Sequence, residues 1–274
     1  STPVPSPVGK AASEKGFRVE KPERVRSNAT LLEEIREVTP DVGVVVAYGK
    51  ILPGELLEIP RLGFVNVHAS LLPKFRGASP VAAAILAGDQ ETGVATMRVV
   101  EELDAGPIYL VRRTAIDPDE DAGTLSRRLS DMGAPLLVET LRGLEAGSAR
   151  AVPQSGEPSF CRTIRREDGE IDWTLDAGSL SRRLRAYTPW PGLFTFLGGE
   201  RIKILDAVPG PAPRPGEPGA LWSEDGKLYA SAGGGSALEV RSLQRAGRNA
   251  VSGAEFARSL KTPARFGRFG RSPA

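Results

Sequence analysis

The chain has 274 residues, of which 40% are hydrophobic and 26% are charged, as in globular proteins. This length predicts two domains. No apolar run approaches the roughly 20 residues of a membrane-spanning helix, which argues against a membrane protein. The single cysteine, Cys161, cannot form an intrachain disulfide. It is therefore typical of a reducing compartment, and we expect a cytoplasmic location, in a bacterial cytosol or an organelle matrix.

The net charge of +2 conceals an uneven distribution along the chain. Residues 1–149 carry 17 Lys and Arg against 21 Asp and Glu, whereas residues 150–274 carry 19 against 13. From Arg241 onward there are eight basic residues and one acidic residue, Glu255. A basic C-terminal part predicts a polyanionic partner such as nucleic acid, although a solvated charged tail would have the same composition.

The first half of the chain alternates predicted helices with predicted strands. Helices are expected over 8–18, 28–38, 53–57, 79–88 and 121–147, and strands over 41–47, 64–68, 93–100 and 107–116. The continuous β-branched run at 41–47 predicts a strand buried on both faces. Pro135 is expected to kink or split the long helix. This alternation predicts an α/β fold with an open, largely parallel sheet.

The second half has a different pattern. Residues 148–166 show no periodicity and are predicted to be a linker, and an amphipathic helix follows over 177–187. Short runs separated by glycine pairs then predict the hairpins of a small β-barrel. Arg265 to Arg271 alternate basic and aromatic residues, which suits single-stranded nucleic acid or a disordered tail. We therefore expect a catalytic domain over 1–149, a linker over 150–166 and a barrel domain over 167–274.

Asn66 and His68 are the first candidate functional residues. The strand 64–68 places both side chains on one face, and His68 is the only histidine in the chain. In an open α/β sheet, ligands bind beyond the carboxyl ends of the strands, where these two residues lie. Ser70, Leu71, Leu72 and Pro73 follow and would supply an apolar wall. A structural histidine with satisfied hydrogen bonds is the alternative that the strand pattern alone leaves open.

Asp104 is the third candidate, although it could equally be an ordinary turn residue. It lies in a predicted turn between two strands, and no G-x-S-x-G nucleophile motif occurs. An amide, an imidazole and a carboxylate suit direct acyl-type transfer: the Asn66 amide would donate to a developing oxyanion, and His68 would hold a proton. Asp104 would orient His68 or accept a proton from an attacking amine.

Several runs together resemble the folate-dependent formyltransferases. They are residues 44–53 (VVVAYGKILP), 66–80 (NVHASLLPKFRGASP), 88–94 (GDQETGV) and 103–106 (LDAG). Residues 167–173 (EDGEIDW) and 185–192 (RAYTPWPG) resemble the methionyl-tRNA formyltransferase branch of that family. The resemblance covers most of residues 3–205 and only loosely the barrel beyond.

The resemblance implies a Rossmann-like formyltransferase domain followed by an OB-type barrel that helps hold tRNA. It implies 10-formyltetrahydrofolate as formyl donor, methionyl initiator tRNA as acceptor, and no metal. Asn66, His68 and Asp104 would be catalytic, and Ser70, Leu71, Leu72 and Pro73 would line the folate pocket. A monomer is expected.

The chain departs from the family pattern in three places. It starts at Ser1, so we expect that a preceding segment with the first central strand is missing from this sequence. Glu102 stands where the family usually has Gly, and Pro135 interrupts a helix usually left unbroken. The alternatives are a formyltransferase for another acceptor such as an amino-sugar nucleotide, a formyltetrahydrofolate hydrolase, and a catalytically impaired tRNA-binding fragment.

Overall fold

The computed structural model describes residues 6–210, 216–260 and 263–268. Its helices are α1 (Pro7–Glu14), α2 (Ala29–Val38), α3 (Gly54–Leu57), α4 (Pro80–Ala87), α5 (Ala122–Glu145), α6 (Ala177–Ala186) and α7 (Gly253–Arg258). The strands of the first half are β1 (Gly43–Val46), β2 (Phe64–His68), β3 (Arg76–Gly77), β4 (Glu91–Arg98), β5 (Ile108–Ala115) and β6 (Phe160–Cys161). Those of the second half are β7 (Leu193–Leu197), β8 (Glu200–Pro209), β9 (Leu221–Glu224), β10 (Lys227–Ala232), β11 (Ser236–Arg245) and β12 (Ala250–Ser252). No helix in the described ranges is both long and apolar enough to cross a membrane.

The N-terminal sheet has the strand order β1-β2-β4-β5, and α5 packs against β4 and β5. The α/β architecture is as predicted, but the sheet is mixed where the sequence predicted a largely parallel one. β1 and β2 are parallel, whereas β4 runs antiparallel to both β2 and β5. The connection 99–107 between β4 and β5 is shorter than the roughly twelve residues that a parallel crossover needs, so this pair is antiparallel.

β1 lies at an edge of the described sheet. Val44 is 44% exposed and Val46 is 56% exposed, where the β-branched run predicted burial on both faces. In the neighbouring strand β2, by contrast, Val65 is fully buried. Continuous β-branched sequence thus predicted the strand and its parallel pairing, but not the exposure of its side chains.

α5 is one continuous helix with Pro135 inside it. Asp121 begins it, because its carboxylate accepts a hydrogen bond from the Thr124 backbone N–H at 2.7 Å. Pro135 lies on the exposed face, so its ring displaces no core side chain. Leu125, Leu129 and Leu136 on the opposite face are at most 2% exposed, and this burial holds the helix unsplit.

The C-terminal sheet is antiparallel, with the order β7-β8-β11-β10-β9 and β12 beside β11. Residues 263–268 join its two edges: Gly267 bridges Phe196 of β7, and Arg265 bridges Ala220 next to β9. Phe266 is 1% exposed and stacks on Trp173 with ring centroids 5.4 Å apart. This part of the tail therefore packs onto the sheet through two isolated bridges and is not an exposed nucleic-acid-binding segment, and residues 269–271 of that prediction lie outside the described residues.

One hydrophobic core runs through both halves of the molecule. α4 packs against α6, so buried residues of the first half such as Ile85 and Leu125 belong to the same cluster as Leu180 and Leu243. A smaller separate cluster of Val25, Leu32 and Leu56 lies beside α2 and α3. Within the predicted linker, Phe160–Cys161 form β6 and pair with β3.

Candidate active site

His68 ends β2 and is 5% exposed. Its Nε2 lies 2.9 Å from the backbone oxygen of Phe75. A carbonyl oxygen only accepts hydrogen bonds, so Nε2 carries a proton and the contact fixes the ring. The opposite nitrogen, Nδ1, lies 3.7 Å from Oδ2 of Asp104. That distance is too long for a hydrogen bond, but a doubly protonated His68 there faces a carboxylate at ion-pair distance.

Asp104 lies in the loop between β4 and β5 and has left-handed backbone geometry, with φ of +47°. For a residue other than glycine this conformation costs roughly 1 kcal/mol, and aspartate tolerates it better than most. Position 106 requires a glycine because the turn packs closely against β4. A Cβ atom at this position would overlap the carbonyl oxygen of Arg98. The turn directs the Asp104 carboxylate towards His68 and towards Gly77, whose backbone N–H donates to Oδ2 at 2.7 Å.

Asn66 is half-buried and is paired on one side with Val45 of β1 and on the other with Met97 of β4. Within the described part of the chain, its side-chain amide makes no hydrogen bond. Oδ1 of Asp104 likewise accepts none from those residues. A substrate would therefore meet an amide donor and a carboxylate acceptor that are not committed to the fold.

Arg76 and Gln154 lie behind the Asp104 turn, and the sequence did not predict either. Arg76 is 8% exposed, and its guanidinium donates to Oε1 of Glu102 at 3.2 Å. Glu102 lies two residues before Asp104, and its carboxylate therefore points to Arg76. The side-chain amide of Gln154 contacts both Arg76 and the backbone of the turn. A glutamine in an aperiodic segment gives no pattern from which this contact could have been predicted.

The segment around β6 supports the loop that carries Phe75, whose carbonyl oxygen binds His68. The Ser159 hydroxyl accepts from the Phe75 backbone N–H at 2.9 Å, and the Ser159 carbonyl accepts from the Arg76 N–H at 2.8 Å. Cys161 lies beside the same backbone, and its thiol accepts from the Ser79 N–H at 3.4 Å. Burial, together with the nearby charge of Asp104, raises the pKa of the Cys161 thiol. The thiol is therefore poorly ionised near neutral pH, which fits a structural role.

A cavity of about 790 Å³ lies beside the loop 71–75, and Asn66, His68 and Asp104 do not line it. Leu71, Leu72, Pro73 and Phe75 form its apolar wall, and Phe75 is also the partner of His68. Ser70, predicted as a pocket residue, does not line this cavity. Its fully buried hydroxyl donates to the Lys74 carbonyl at 2.6 Å and so shapes the loop. The volume is in the range of a drug-sized or cofactor-sized ligand.

The structure thus brings two of the predicted residues, from separate segments, together. His68 and Asp104 form a pair, and Asn66 lies two residues before His68 on the same strand. Amide, imidazole and carboxylate groups beside a partly apolar cavity can polarise a carbonyl and relay a proton. These are the requirements of acyl or formyl transfer between a carrier and an amine.

Comparison with known families assigns both halves of the chain. Residues 3–141 match the family described as formyl transferase, and residues 163–261 match the one described as formyl transferase, C-terminal domain. The chain therefore belongs to the formyl transferase family.

Two curated relatives share the same name. The methionyl-tRNA formyltransferase of Thermus thermophilus is 46% identical over 258 residues, covering 93% of this chain and 82% of that protein. The methionyl-tRNA formyltransferase of Parvibaculum lavamentivorans is 45% identical over 261 residues, covering 93% and 83%.

A solved structure supports the fold. An N-formyltransferase from Helicobacter canadensis, crystallised with folinic acid and dTDP-3-aminofucose, superposes with a TM-score of 0.66 at 17% identity. The match covers 88% of this chain and 85% of that one. At this identity the likeness shows a shared fold.

Proposed function

We propose that this protein is a methionyl-tRNA formyltransferase, which transfers a formyl group from 10-formyltetrahydrofolate to the α-amine of methionyl initiator tRNA for translation initiation. The observation that carries the proposal is the 46% identity to a protein of that name over 93% of the chain. The paired His68 and Asp104 beside Asn66 provide the chemistry that this reaction needs.

In the proposed mechanism the neutral methionyl amine attacks the formyl carbon, forming a new C–N bond. The Asn66 amide donates a hydrogen bond to the formyl oxygen as negative charge develops on it. His68, held by the Phe75 carbonyl, stabilises the same charge. Asp104 accepts the proton that the amine loses and passes it to the folate nitrogen as the bond from the formyl carbon to that nitrogen breaks, so that Asp104 is again a carboxylate when the carrier leaves.

The formyl donor occupies the site beside the loop 70–75 in this proposal. Leu71, Leu72 and Pro73 offer apolar surface to the carrier, and Ser70 holds the loop in shape through its bond to Lys74. His68 lies at the root of the same loop, which places the formyl-bearing end of the carrier next to the catalytic groups.

The acceptor tRNA contacts the C-terminal domain in this proposal. A basic notch of about 210 Å³ lies between β8 and the turn after β11 and includes Arg201, Lys203, Arg245 and Arg248. Arg201 lies over the Phe194 ring at 3.8 Å, and burial together with Arg166 lowers its pKa. Within the described residues, Lys203 and Arg248 make no ion pair. Unpaired cations on one surface suit the phosphate backbone of a nucleic acid.

The proposal assigns one role to each of three segments of the chain. Residues 1–149 form the catalytic domain, 150–166 the connection and 167–274 an OB-type tRNA-binding domain. We place the protein in the cytosol, acting as a monomer. The core that continues through α4 and α6 would hold the catalytic site and the basic notch in a fixed relation.

A formylation assay with three acceptors tests the function. The full chain is supplied with 10-formyltetrahydrofolate and with methionyl initiator tRNA, methionyl elongator tRNA or a dTDP-amino sugar. We expect transfer to the initiator tRNA at a kcat/KM at least about 100-fold above that for the amino sugar. Transfer to the sugar alone, or release of formate without any acceptor, would assign a different formyltransferase or a hydrolase. Retained tRNA binding without folate binding would indicate an impaired enzyme.

A further inference from the structure

We propose that Gln154 is a positioning residue of the formyl-transfer site, acting through the turn that carries Asp104. The inference rests on the proposed function, because it concerns the geometry of that reaction. Gln154 is half-buried in the segment between α5 and β6, 50 residues from Asp104 in sequence.

The Gln154 amide uses its whole hydrogen-bonding capacity at this place. Its Nε2 donates to the carbonyl oxygen of Asp104 at 2.7 Å and to that of Gly106 at 2.9 Å. Its Oε1 accepts from Nε of Arg76 at 3.1 Å and from Nη2 at 2.9 Å. The orientation of the amide is unambiguous, since the reverse would point its oxygen at two carbonyls and its N–H groups at a guanidinium.

The Asp104 turn needs such a partner. Asp104 has left-handed backbone geometry, and the described backbone hydrogen bond inside the turn, from the Ala105 N–H to the Glu102 carbonyl, is long at 3.3 Å. The carbonyls of Asp104 and Gly106 converge on one nitrogen, so a single side chain fixes the Asp104–Ala105 and Gly106–Pro107 peptide units. These units set the direction of the Asp104 side chain.

Gln154 also acts on the other side of the Asp104 carboxylate. It holds the guanidinium of Arg76, and the next residue, Gly77, supplies the N–H that donates to Oδ2 of Asp104. One side chain therefore fixes both the backbone of Asp104 and the strand segment that binds its carboxylate. The 3.7 Å separation between Asp104 and His68 depends on both. A displacement of about 1 Å in such a site can cost on the order of 100-fold in rate.

Gln154→Leu removes the donors and the acceptor while keeping a similar volume. We expect kcat for formylation of methionyl-tRNA to fall roughly 10- to 100-fold, while KM for both substrates stays within about 3-fold. The reason is that the Gln154 amide is fully engaged by Arg76 and the Asp104 turn and does not line the cavity. Retention of at least half of the wild-type kcat would overturn the proposal. So would a rise in either KM with kcat unchanged.

Gln154→Glu separates positioning of Asp104 from support of Arg76. The carboxylate strengthens the contact with Arg76 but cannot donate to the carbonyls of Asp104 and Gly106. We expect the same loss of kcat as in Gln154→Leu, with the fold retained. Wild-type kcat in Gln154→Glu would show that the residue serves only Arg76, and would refute the proposal. If Gln154→Leu does not fold, Gln154→Glu decides alone.

Thr140→Val provides the matched control. Thr140 is 1% exposed, and its hydroxyl lies 2.7 Å from that of Thr96 and donates to the Leu136 carbonyl. Thr96 is paired with Val67, so this contact lies on the sheet face opposite to Asn66 and His68. The variant should lower the unfolding midpoint while leaving kcat within about 2-fold of wild type. A parallel loss of kcat in Thr140→Val would mean that reduced stability alone explains the effect, and would overturn the inference. A wild-type chain that does not formylate methionyl-tRNA would instead count against the proposed function.

Discussion

His68 and Asp104 come from different connections of the sheet, and local backbone geometry brings them together. His68 ends β2, while Asp104 occupies a left-handed position in the loop after β4. Each is held by a backbone partner, the Phe75 carbonyl for His68 and the Gly77 N–H for Asp104. Arg76 lies between these two partners in the chain, so one short segment adjusts both side chains of the pair.

Asn66→Ala tests the oxyanion role at the level of a single residue. The amide makes no hydrogen bond within the described residues, so its removal leaves little unsatisfied and the fold should be unchanged. We expect kcat to fall about 100- to 1000-fold, because a donor to the developing oxyanion is lost. Steady-state formylation of methionyl-tRNA measures this. His68→Ala should abolish formylation with the fold intact but less stable, because the Phe75 carbonyl loses its donor.

Asn28→Ala is the corresponding control for Asn66. Asn28 caps α2 by accepting from the Leu31 N–H at 3.2 Å, far from the site in sequence. Its loss should reduce the free energy of unfolding by about 1 kcal/mol without changing kcat. Full activity of both Asn66→Ala and His68→Ala would rule out the assigned catalytic roles.

At the scale of the element, the sequence predicted the helix starts and strand ends that depend on neighbouring residues. Asn28 and Asp121 each cap a predicted helix. The strand 64–68 was predicted at its observed ends because it is rich in Phe and Val and is entered through a glycine. Strand direction does not follow from the alternation of helices and strands. The antiparallel course of β4 and β5 follows instead from the short connection between them, which the predicted strands 93–100 and 107–116 already contained.

The candidate site was predicted only where local sequence pattern or family resemblance points to it. Asn66 and His68 share a strand face, which a period of two predicts, and Asp104 was chosen from its turn and from the family resemblance. The contacts of Gln154 and Ser159 join residues 48 to 84 positions apart in sequence and lie in a segment without periodicity. Such contacts depend on the tertiary fold, so a sequence pattern could not locate them.

Pro135→Ala tests how α5 accommodates an interior proline. Proline lacks an N–H for the helix ladder and costs about 3 kcal/mol relative to alanine, partly offset by about 1 kcal/mol of entropy that it removes from the unfolded chain. Because Pro135 is exposed, its replacement leaves no cavity. We expect the free energy of unfolding in urea to rise by about 2 kcal/mol. Its exposed neighbour supplies the control, since Ala134→Gly should lower the same quantity by about 1 kcal/mol. A destabilised Pro135→Ala would mean that the proline makes a favourable contact.

At the scale of the whole molecule, the two halves differ in charge but share one hydrophobic core. The acidic first half carries the candidate catalytic residues, and the second half carries the excess of positive charge. Both share one core, so a polyanion bound at the basic notch would be held in a defined position relative to Asn66 and His68. The tail contributes to this arrangement through Phe266, which is buried against Trp173 in the same core.

Salt dependence tests the role of the basic notch in tRNA binding. Each phosphate contact releases condensed counterions, so the logarithm of the affinity should fall linearly with the logarithm of the salt concentration. Lys203→Ala removes a cation without an ion pair in the described structure. It should therefore weaken tRNA binding and reduce the magnitude of the slope by about 1. Lys227→Ala is the control, because Lys227 lies on β10 and pairs with Glu239 at 3.3 Å, and it should leave the slope unchanged. Filter binding of methionyl-tRNA over a range of salt concentrations measures both variants. A flat salt dependence of the wild type, or equal slopes for wild type and Lys203→Ala, would remove the notch from the tRNA-binding surface and leave the catalytic assignment untouched.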